Sequence, residues 1–111
     1  MKSKSLIESF NYAVNGIIYT LKTERNMKFH FLAAIVVIFL SLFFDFTKLE
    51  LLILFITIAF VFMAEMFNTA VERTVDLITD EFHPLARIAK DIAAGGVLIA
   101  AINALVVGYL L

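Results

Sequence analysis

Residues 49–76 have the sequence LELLILFITIAFVFMAEMFNTAVERTVD, in which an apolar run passes directly into a segment rich in charged and amide side chains. No proline or glycine interrupts residues 49–79, so this stretch predicts one continuous α-helix. At about 1.5 Å per residue the helix is about 46 Å long, whereas the hydrocarbon core of a bilayer is about 30 Å thick. We therefore expect its apolar part to cross a membrane and its polar end to project into water.

The composition places the chain among integral membrane proteins. Hydrophobic residues make up 62% of its 111 residues, against about 45–50% in soluble domains. A soluble domain this small exposes much of its surface to water, so it could not bury so many apolar side chains. The absence of cysteine excludes disulfide scaffolds and thiolate metal sites. The net charge of −1 gives no basic excess, so we expect no nucleic-acid partner.

Two other apolar stretches, residues 29–44 and 92–111, flank this segment on either side. With tilt and flanking residues, each is long enough to cross a bilayer. We therefore predict an all-α membrane protein in which residues 1–111 form one domain. Its three transmembrane helices are expected at residues 28–46, 49–79 and 91–111.

The N-terminal segment predicts a fourth helix, at residues 3–23. Its apolar residues recur at spacings of one, three and four, and polar residues occupy the other face. Such an amphipathic helix is expected to lie in the membrane interface. The alternative is a helix packed against a partner protein.

Basic residues predict the orientation. Five of them precede the first span, only Lys48 lies between the first and second, and three more lie between the second and third. By the positive-inside rule, the N-terminus and residues 65–91 are cytoplasmic and the C-terminus is extracytoplasmic. We expect a multi-pass protein of the plasma membrane.

The third span carries small residues at four-residue spacing, namely Gly96, Ala100, Ala104 and Gly108. Small side chains at this spacing allow helix backbones to approach closely in lipid. We interpret this face as a packing surface, and it favours an oligomer.

The polar end of the second span carries Glu65, Asn68, Glu72 and Asp76, which fall within about 80° of one another on one helical face. Three carboxylates on one face repel each other unless positive charge neutralises them. One source is the chain itself, through a salt-bridge network of basic side chains at the membrane border. The other is Mg²⁺, a hard cation that prefers carboxylate oxygens and substrate phosphates.

Two further stretches are expected to place charged and histidine side chains at the same cytoplasmic level. TERNMKFH (residues 23–30) brings Glu24 close to two basic residues, and DEFHPLARIAKD (residues 80–91) is expected to be a loop carrying acidic, basic and histidine side chains into the third span. Pro84 indicates a turn or the N1 position of the next helix. Carboxylates for a metal and a lysine for phosphate are the parts that phosphoryl transfer needs. No Walker A or protein-kinase motif is present, so any kinase here is of an unrelated kind.

With these residues in view, the chain resembles the small prokaryotic integral-membrane lipid kinases, the diacylglycerol kinase and undecaprenol kinase family. EMFNTAVERTVD (residues 65–76) and AKDIAAGGVL (residues 89–98) carry the resemblance, which runs from about residue 10 to residue 101. TERNMKFH and VDLITDEFHPLARIAKD (residues 75–91) resemble the Gram-positive branch, whose members phosphorylate undecaprenol. The diacylglycerol branch usually differs where this chain has Asn26, Lys28 and His30.

The resemblance implies a homotrimer with an interfacial helix, three spans per chain and active sites shared between neighbouring subunits. It implies transfer of the γ-phosphate of ATP to the hydroxyl of undecaprenol, giving undecaprenyl phosphate at the cytoplasmic interface. The alternative acceptor is diacylglycerol, giving phosphatidic acid.

The resemblance also implies roles for individual residues. Glu65 matches the general base that acts on the lipid hydroxyl, and Glu24 and Glu72 match the carboxylates that hold Mg²⁺ against the ATP phosphates. Asn68 matches an amide that orients these groups. The nucleotide-contacting positions are matched by Lys90, on phosphate, and by Asp91, Glu81, His83 and Tyr12.

Two other classes of function compete with the kinase interpretation. A small multidrug or ion transporter would place its key carboxylate near the membrane midplane, whereas the acidic residues here lie at or beyond the edges of the spans. A non-catalytic assembly subunit would not require Glu65, Asn68 and Glu72 on one helical face.

The distribution of basic residues makes a direct prediction about topology. A reporter fused after Leu111 is expected to be extracytoplasmic, and one inserted near Asp80 is expected to be cytoplasmic. Alkaline phosphatase and green fluorescent protein fusions measure the two locations. The reverse pattern at both positions would overturn the orientation and the access to cytosolic ATP.

Overall fold

The computed structural model describes residues 5–111, and all of its regular secondary structure in that range is helical. The described helices are α1 (Leu6–Thr23), α2 (Arg25–Ser41), α3 (Lys48–Ile78) and α4 (Pro84–Leu110). The predicted all-α class is confirmed. Residues 3 and 4, the start of the predicted interfacial helix, lie outside the described residues.

α3 is one unbroken helix of 31 residues. It begins at a capping box, in which the Thr47 side chain accepts a hydrogen bond from the Glu50 backbone and the Glu50 carboxylate accepts one from the Thr47 backbone. This arrangement satisfies two amide groups that a helix start otherwise leaves without partners. The apolar run and the polar stripe are therefore parts of one rigid element.

α3 and α4 are long and apolar enough to cross a membrane. α2 has 17 residues, about 26 Å at the usual helical rise. It begins at Arg25 and ends at Ser41, whereas the sequence predicted a span over residues 28–46. The structure thus supplies two helices that are long and apolar enough to be spans. A third span, at α2, remains a prediction.

α4 begins at Pro84, seven residues before the predicted span. His83 caps it, because its Nδ1 accepts a hydrogen bond from the Leu85 backbone at 3.1 Å, and Pro84 fits the first turn, where no N–H partner is needed. The prediction of a loop through residues 80–91 was therefore wrong for Arg87, Lys90 and Asp91. These three residues lie on the first turns of a helix, where their charges remain at the surface.

The helices pack around α3, which contacts α1, α2 and α4, with its most extensive contact along α4. Ala100 of α4 is 2% exposed. Gly96 and Gly108, on the same face, are exposed, and a Cβ built on either would meet no atom within 4 Å. The chain's own packing therefore uses Ala100 but does not require glycine at these two positions.

We predict that Ala100→Leu destabilises the protein, because three extra heavy atoms must enter a closely packed helix contact. Overpacking of this kind costs about 1–3 kcal/mol. The thermal unfolding temperature, followed by circular dichroism in detergent, should fall by several degrees. Ile99→Leu is the matched control, since Ile99 is 71% exposed, and equal shifts for the two variants would contradict the packing assignment.

Candidate active site

A polar cleft with a volume of about 510 Å³ lies between α2, α3 and α4. Glu65, Asn68 and Glu72 line it from α3, and Asn26 and His30 line it from α2. Apolar side chains of α4 form the remaining wall. Three of the four members of the predicted stripe are thus brought to one cleft, because residues three and four apart lie on the same face of a helix.

Glu65 is buried, with 2% of its surface exposed. His30 Nε2 lies 3.2 Å from Glu65 Oε1, in a contact that joins α2 to α3. A buried carboxylate without a partner is costly, so this contact accounts for how the charge is accommodated between helices. The sequence placed Glu65 near the exit of the span but did not assign its partner.

Asn68 and Glu72 form a second polar pair in the cleft. Asn68 Nδ2 donates a hydrogen bond of 3.0 Å to Glu72 Oε1 one turn away. Asn68 Oδ1 is buried and has no hydrogen-bond partner among residues 5–111. Buried polar atoms normally form a hydrogen bond, so this oxygen is a candidate for contact with a bound group.

Glu24 lies on a different side of α3, where Arg73 neutralises it. Arg73 Nη2 donates to Glu24 Oε2 at 2.8 Å, and Arg73 Nε donates to the Tyr19 hydroxyl at 3.0 Å. Thr69 Oγ1 donates to the other Glu24 oxygen at 3.5 Å. Glu24 therefore does not line the polar cleft with Glu72.

The donor set fits a divalent metal in part. Within residues 5–111 no three acidic or histidine side chains are grouped closely enough to hold a metal ion. The Glu72 carboxylate and the unpartnered Asn68 oxygen are hard ligands of the kind that Mg²⁺ prefers. Glu24, the other predicted ligand, is held by Arg73.

A second, outer cleft of about 190 Å³ lies where α3 ends and α4 begins. Lys90 Nζ donates to Asp76 Oδ1 at 2.8 Å, and Arg87 pairs with Asp91 at 3.3 Å along α4. A salt bridge within the chain thus explains Asp76, the outermost member of the predicted stripe. The predicted nucleotide-contacting residues that line this outer cleft are Glu81, His83 and Lys90.

Tyr12 and Asp91 stand apart from both clefts. Tyr12 lies on α1, is 41% exposed and lines neither cleft. Asp91 is exposed and pairs with Arg87. Within one chain the other predicted site residues form an inner group around Glu65 and an outer group around Lys90, with Glu24 beside Arg73.

An apolar groove of about 160 Å³ runs along α2, α3 and α4 next to the polar cleft. Its walls are mostly apolar side chains, among them Ala33, Val37, Leu54 and Val61. His30 lines both the groove and the polar cleft. The partner of the buried Glu65 carboxylate thus lies where a polar space adjoins an apolar one.

His30 and Asn26 line the polar cleft, although neither was among the predicted site residues. The signal of His30 in the sequence was its position, since it is an ionisable side chain within the largely apolar residues 29–44. Ionisable residues inside such segments are functional candidates by default. Arg73, which holds Glu24, was one of the basic residues considered for a salt-bridge network with the stripe, whereas nothing in the sequence pointed to Tyr19.

Comparison with known proteins gives a consistent result. Residues 11–111 match the family of prokaryotic diacylglycerol kinases. The chain is 44% identical to undecaprenol kinase of Bacillus subtilis (strain 168) over 104 residues, which cover 94% of this chain and 85% of that protein. It is 34% identical to diacylglycerol kinase of Haemophilus influenzae over 86% of this chain and 80% of that protein.

A diacylglycerol kinase of Synechocystis is 40% identical over 105 residues, which cover 94% of this chain and 60% of that protein. The chain thus spans three-fifths of the Synechocystis protein and at least four-fifths of the other two.

The contacts of Arg73 predict how α1 is anchored. Glu24 is the only residue between α1 and α2, and Arg73 fixes it to α3. Arg73→Gln should loosen this corner and increase trypsin cleavage at Lys22 and Arg25 several-fold. The matched control is Arg87→Gln, which removes the same charge from a pair contained within α4. Equal cleavage of both variants would contradict the anchoring role.

Proposed function

The chain belongs to the prokaryotic diacylglycerol kinase family and is a lipid kinase, and from that premise we propose that its acceptor is undecaprenol. The reaction transfers the γ-phosphate of ATP to the undecaprenol hydroxyl and gives undecaprenyl phosphate at the cytoplasmic interface of the plasma membrane. The resemblance to this family inferred from the motifs is confirmed, and the apolar helices α3 and α4 agree with a membrane protein.

The observation that carries the proposal is the position of Glu65. Glu65 is 2% exposed and lines the polar cleft, and its partner His30 lines both that cleft and the apolar groove. A long-chain alcohol lying along the groove would bring its hydroxyl toward this carboxylate. A water-soluble acceptor would have no use for the apolar groove.

The choice of undecaprenol is supported by the relatives. The Bacillus subtilis protein, at 44% identity, is named an undecaprenol kinase. Diacylglycerol kinases from Synechocystis and Haemophilus influenzae are 40% and 34% identical. Diacylglycerol is therefore the second candidate acceptor, because the same chemistry and the same cleft serve either alcohol.

The proposed catalysis depends on positioning and charge. Glu65 accepts the proton of the acceptor hydroxyl as general base, a role that typically contributes about 10²–10⁴-fold to a rate. Lys90, now paired with Asp76, lies in the outer cleft, where it would contact phosphate. Little covalent chemistry is asked of the protein in phosphoryl transfer, so placing the reactants and neutralising charge account for most of the acceleration.

Mg²⁺ is proposed to bind at the Glu72 carboxylate and Asn68 Oδ1. When bound, the ion would neutralise phosphate charge. Glu24 could join these ligands only by leaving Arg73, with which it forms a hydrogen bond of 2.8 Å. Asn68 orients Glu72 through its amide nitrogen, and its Oδ1, which is buried within the chain, would have to become accessible to reach the ion.

We also propose a homotrimer with sites shared between subunits. The open face at Gly96 supports this proposal, because a small residue with free space beside it suits contact with another helix. The separation of the inner and outer clefts within one chain also supports it, since Glu65 and Lys90 lie in different clefts.

The acceptor is tested by supplying undecaprenol and diacylglycerol in matched detergent micelles with γ-labelled ATP and Mg²⁺. The proposal predicts that kcat/KM for undecaprenol exceeds that for diacylglycerol at least 10-fold, which corresponds to about 1.4 kcal/mol. A preference for diacylglycerol would overturn the acceptor assignment and leave the lipid kinase in place. Glu65→Gln, purified in the same way, is the background control.

Glu72→Gln tests the metal role, because it removes a ligand charge while keeping the size of the side chain. Activity should fall by roughly 100-fold or more and the Mg²⁺ concentration for half-maximal activity should rise, since loss of even an outer-shell partner of a metal ligand typically costs about 10–100-fold. Asp45→Asn, a change at an exposed carboxylate between α2 and α3, serves as control. An unchanged Mg²⁺ titration would remove Glu72 from the ligand set.

A further inference from the structure

His30 is the only hydrogen-bonding partner of the Glu65 side chain among residues 5–111. The side chains of Glu65 and His30 are 3% and 21% exposed, so water competes little for the contact. The two residues are 35 positions apart in the chain and belong to α2 and α3. The orientation of the Glu65 carboxylate therefore depends on a second helix.

We propose that His30 is a positioning residue for Glu65, holding its carboxylate in the orientation that accepts the proton of the lipid hydroxyl. This inference rests on the proposed role of Glu65 as general base. His30 is not itself a catalytic residue, because it acts through Glu65.

The proposed role of Glu65 sets the direction of the hydrogen bond. A general base is ionised, and an ionised carboxylate only accepts hydrogen bonds, so Nε2 of the imidazole would carry the hydrogen and donate to Oε1. Oε2 of Glu65 is left without a protein partner in the described part of the chain, and the residue lines the cleft. One carboxylate oxygen is thus held, and the other is the one that we assign to the substrate proton.

The place of His30 in the fold explains why this orientation matters. His30 lines both the apolar groove and the polar cleft, so it lies beside the path by which a lipid hydroxyl reaches Glu65. Its ring also packs edge-on against Phe29, with ring centroids 5.8 Å apart. These two contacts restrict the orientation of the imidazole ring. A hydrogen-bond donor of fixed orientation in turn fixes the orientation of the carboxylate that it binds.

The proposed step is balanced without a proton from His30. The O–H bond of the acceptor breaks and its proton moves to Glu65 Oε2. The hydroxyl oxygen forms a bond to the γ-phosphorus of ATP, the bond from that phosphorus to the bridging oxygen breaks, and its electron pair leaves on ADP. His30 keeps its Nε2 hydrogen throughout and maintains the carboxylate in place.

The experiment compares His30→Ala, His30→Gln and Leu32→Ala with the intact protein, using the lipid that it phosphorylates best. His30→Ala removes the donor, and kcat should fall roughly 10-fold to 100-fold, a part of the approximately 10²–10⁴-fold that a positioned base contributes. KM for ATP and for the lipid should stay within about twofold, because ground-state binding is retained. Leu32, exposed on the same helix, should tolerate alanine.

Glutamine at position 30 provides the rescue. Its amide N–H can reach roughly where Nε2 lies, so His30→Gln should recover most of kcat. A residue needed only to join two helices would instead lower the unfolding temperature and kcat together in both variants. The proposal is overturned if kcat of His30→Ala equals that of the intact protein, or if His30→Gln is as slow as His30→Ala while unfolding at the same temperature as the intact protein.

A double-mutant cycle with Glu65→Gln tests whether the effect passes through Glu65. With that carboxylate absent, His30→Ala should cause no further loss of kcat, measured by long incubation with labelled ATP. A full additional loss would show that His30 acts independently and would overturn the proposal. Wild-type activity in Glu65→Gln alone would instead refute the proposed base. A preference for diacylglycerol would refute only the acceptor and leave the His30 test valid on that lipid.

Discussion

The unbroken backbone of α3 is the constraint on which the rest of the structure depends. Every other described helix packs against α3. Its 31 residues carry both the apolar run that is long enough to cross a membrane and the polar stripe. In lipid, a break in this helix would leave backbone N–H and C=O groups without water, which is expensive. Continuity therefore holds Glu65, Asn68 and Glu72 at fixed distances and rotations relative to the apolar part.

Three acidic side chains on or beside α3 take their partners from a different part of the chain. Glu24 pairs with Arg73, Glu65 with His30 and Asp76 with Lys90. Glu72 differs, since its partner within the chain is the neutral amide of Asn68. Of the two explanations of the stripe, the salt-bridge network thus accounts for Asp76, whereas the metal at Glu72 stays a proposal.

The motifs were sufficient to identify the family and the face that carries the site, because both depend on local sequence. Residues three and four apart on a helix share a face whatever the rest of the fold does, so Glu65, Asn68 and Glu72 could be grouped in advance. The start of α4 could not be placed by hydropathy, because Pro84 and the His83 cap begin the helix well before its apolar part. The apparent loop at Arg87, Lys90 and Asp91 was in fact helical for that reason.

The sequence by itself determined that this is an all-α membrane protein and that α3 is continuous. It also determined that the acidic stripe lies on one side of α3. Only the tertiary structure decided which side chains meet across helices. His30 and Glu65 are 35 residues apart, and Arg73 and Glu24 are 49 apart. Their meeting depends on how α1 and α2 are rotated and crossed against α3. Helical periodicity repeats every 3.6 residues or so and carries no information about rotation between helices. For that reason Glu24 could be expected beside Glu72, whereas packing places it beside Arg73.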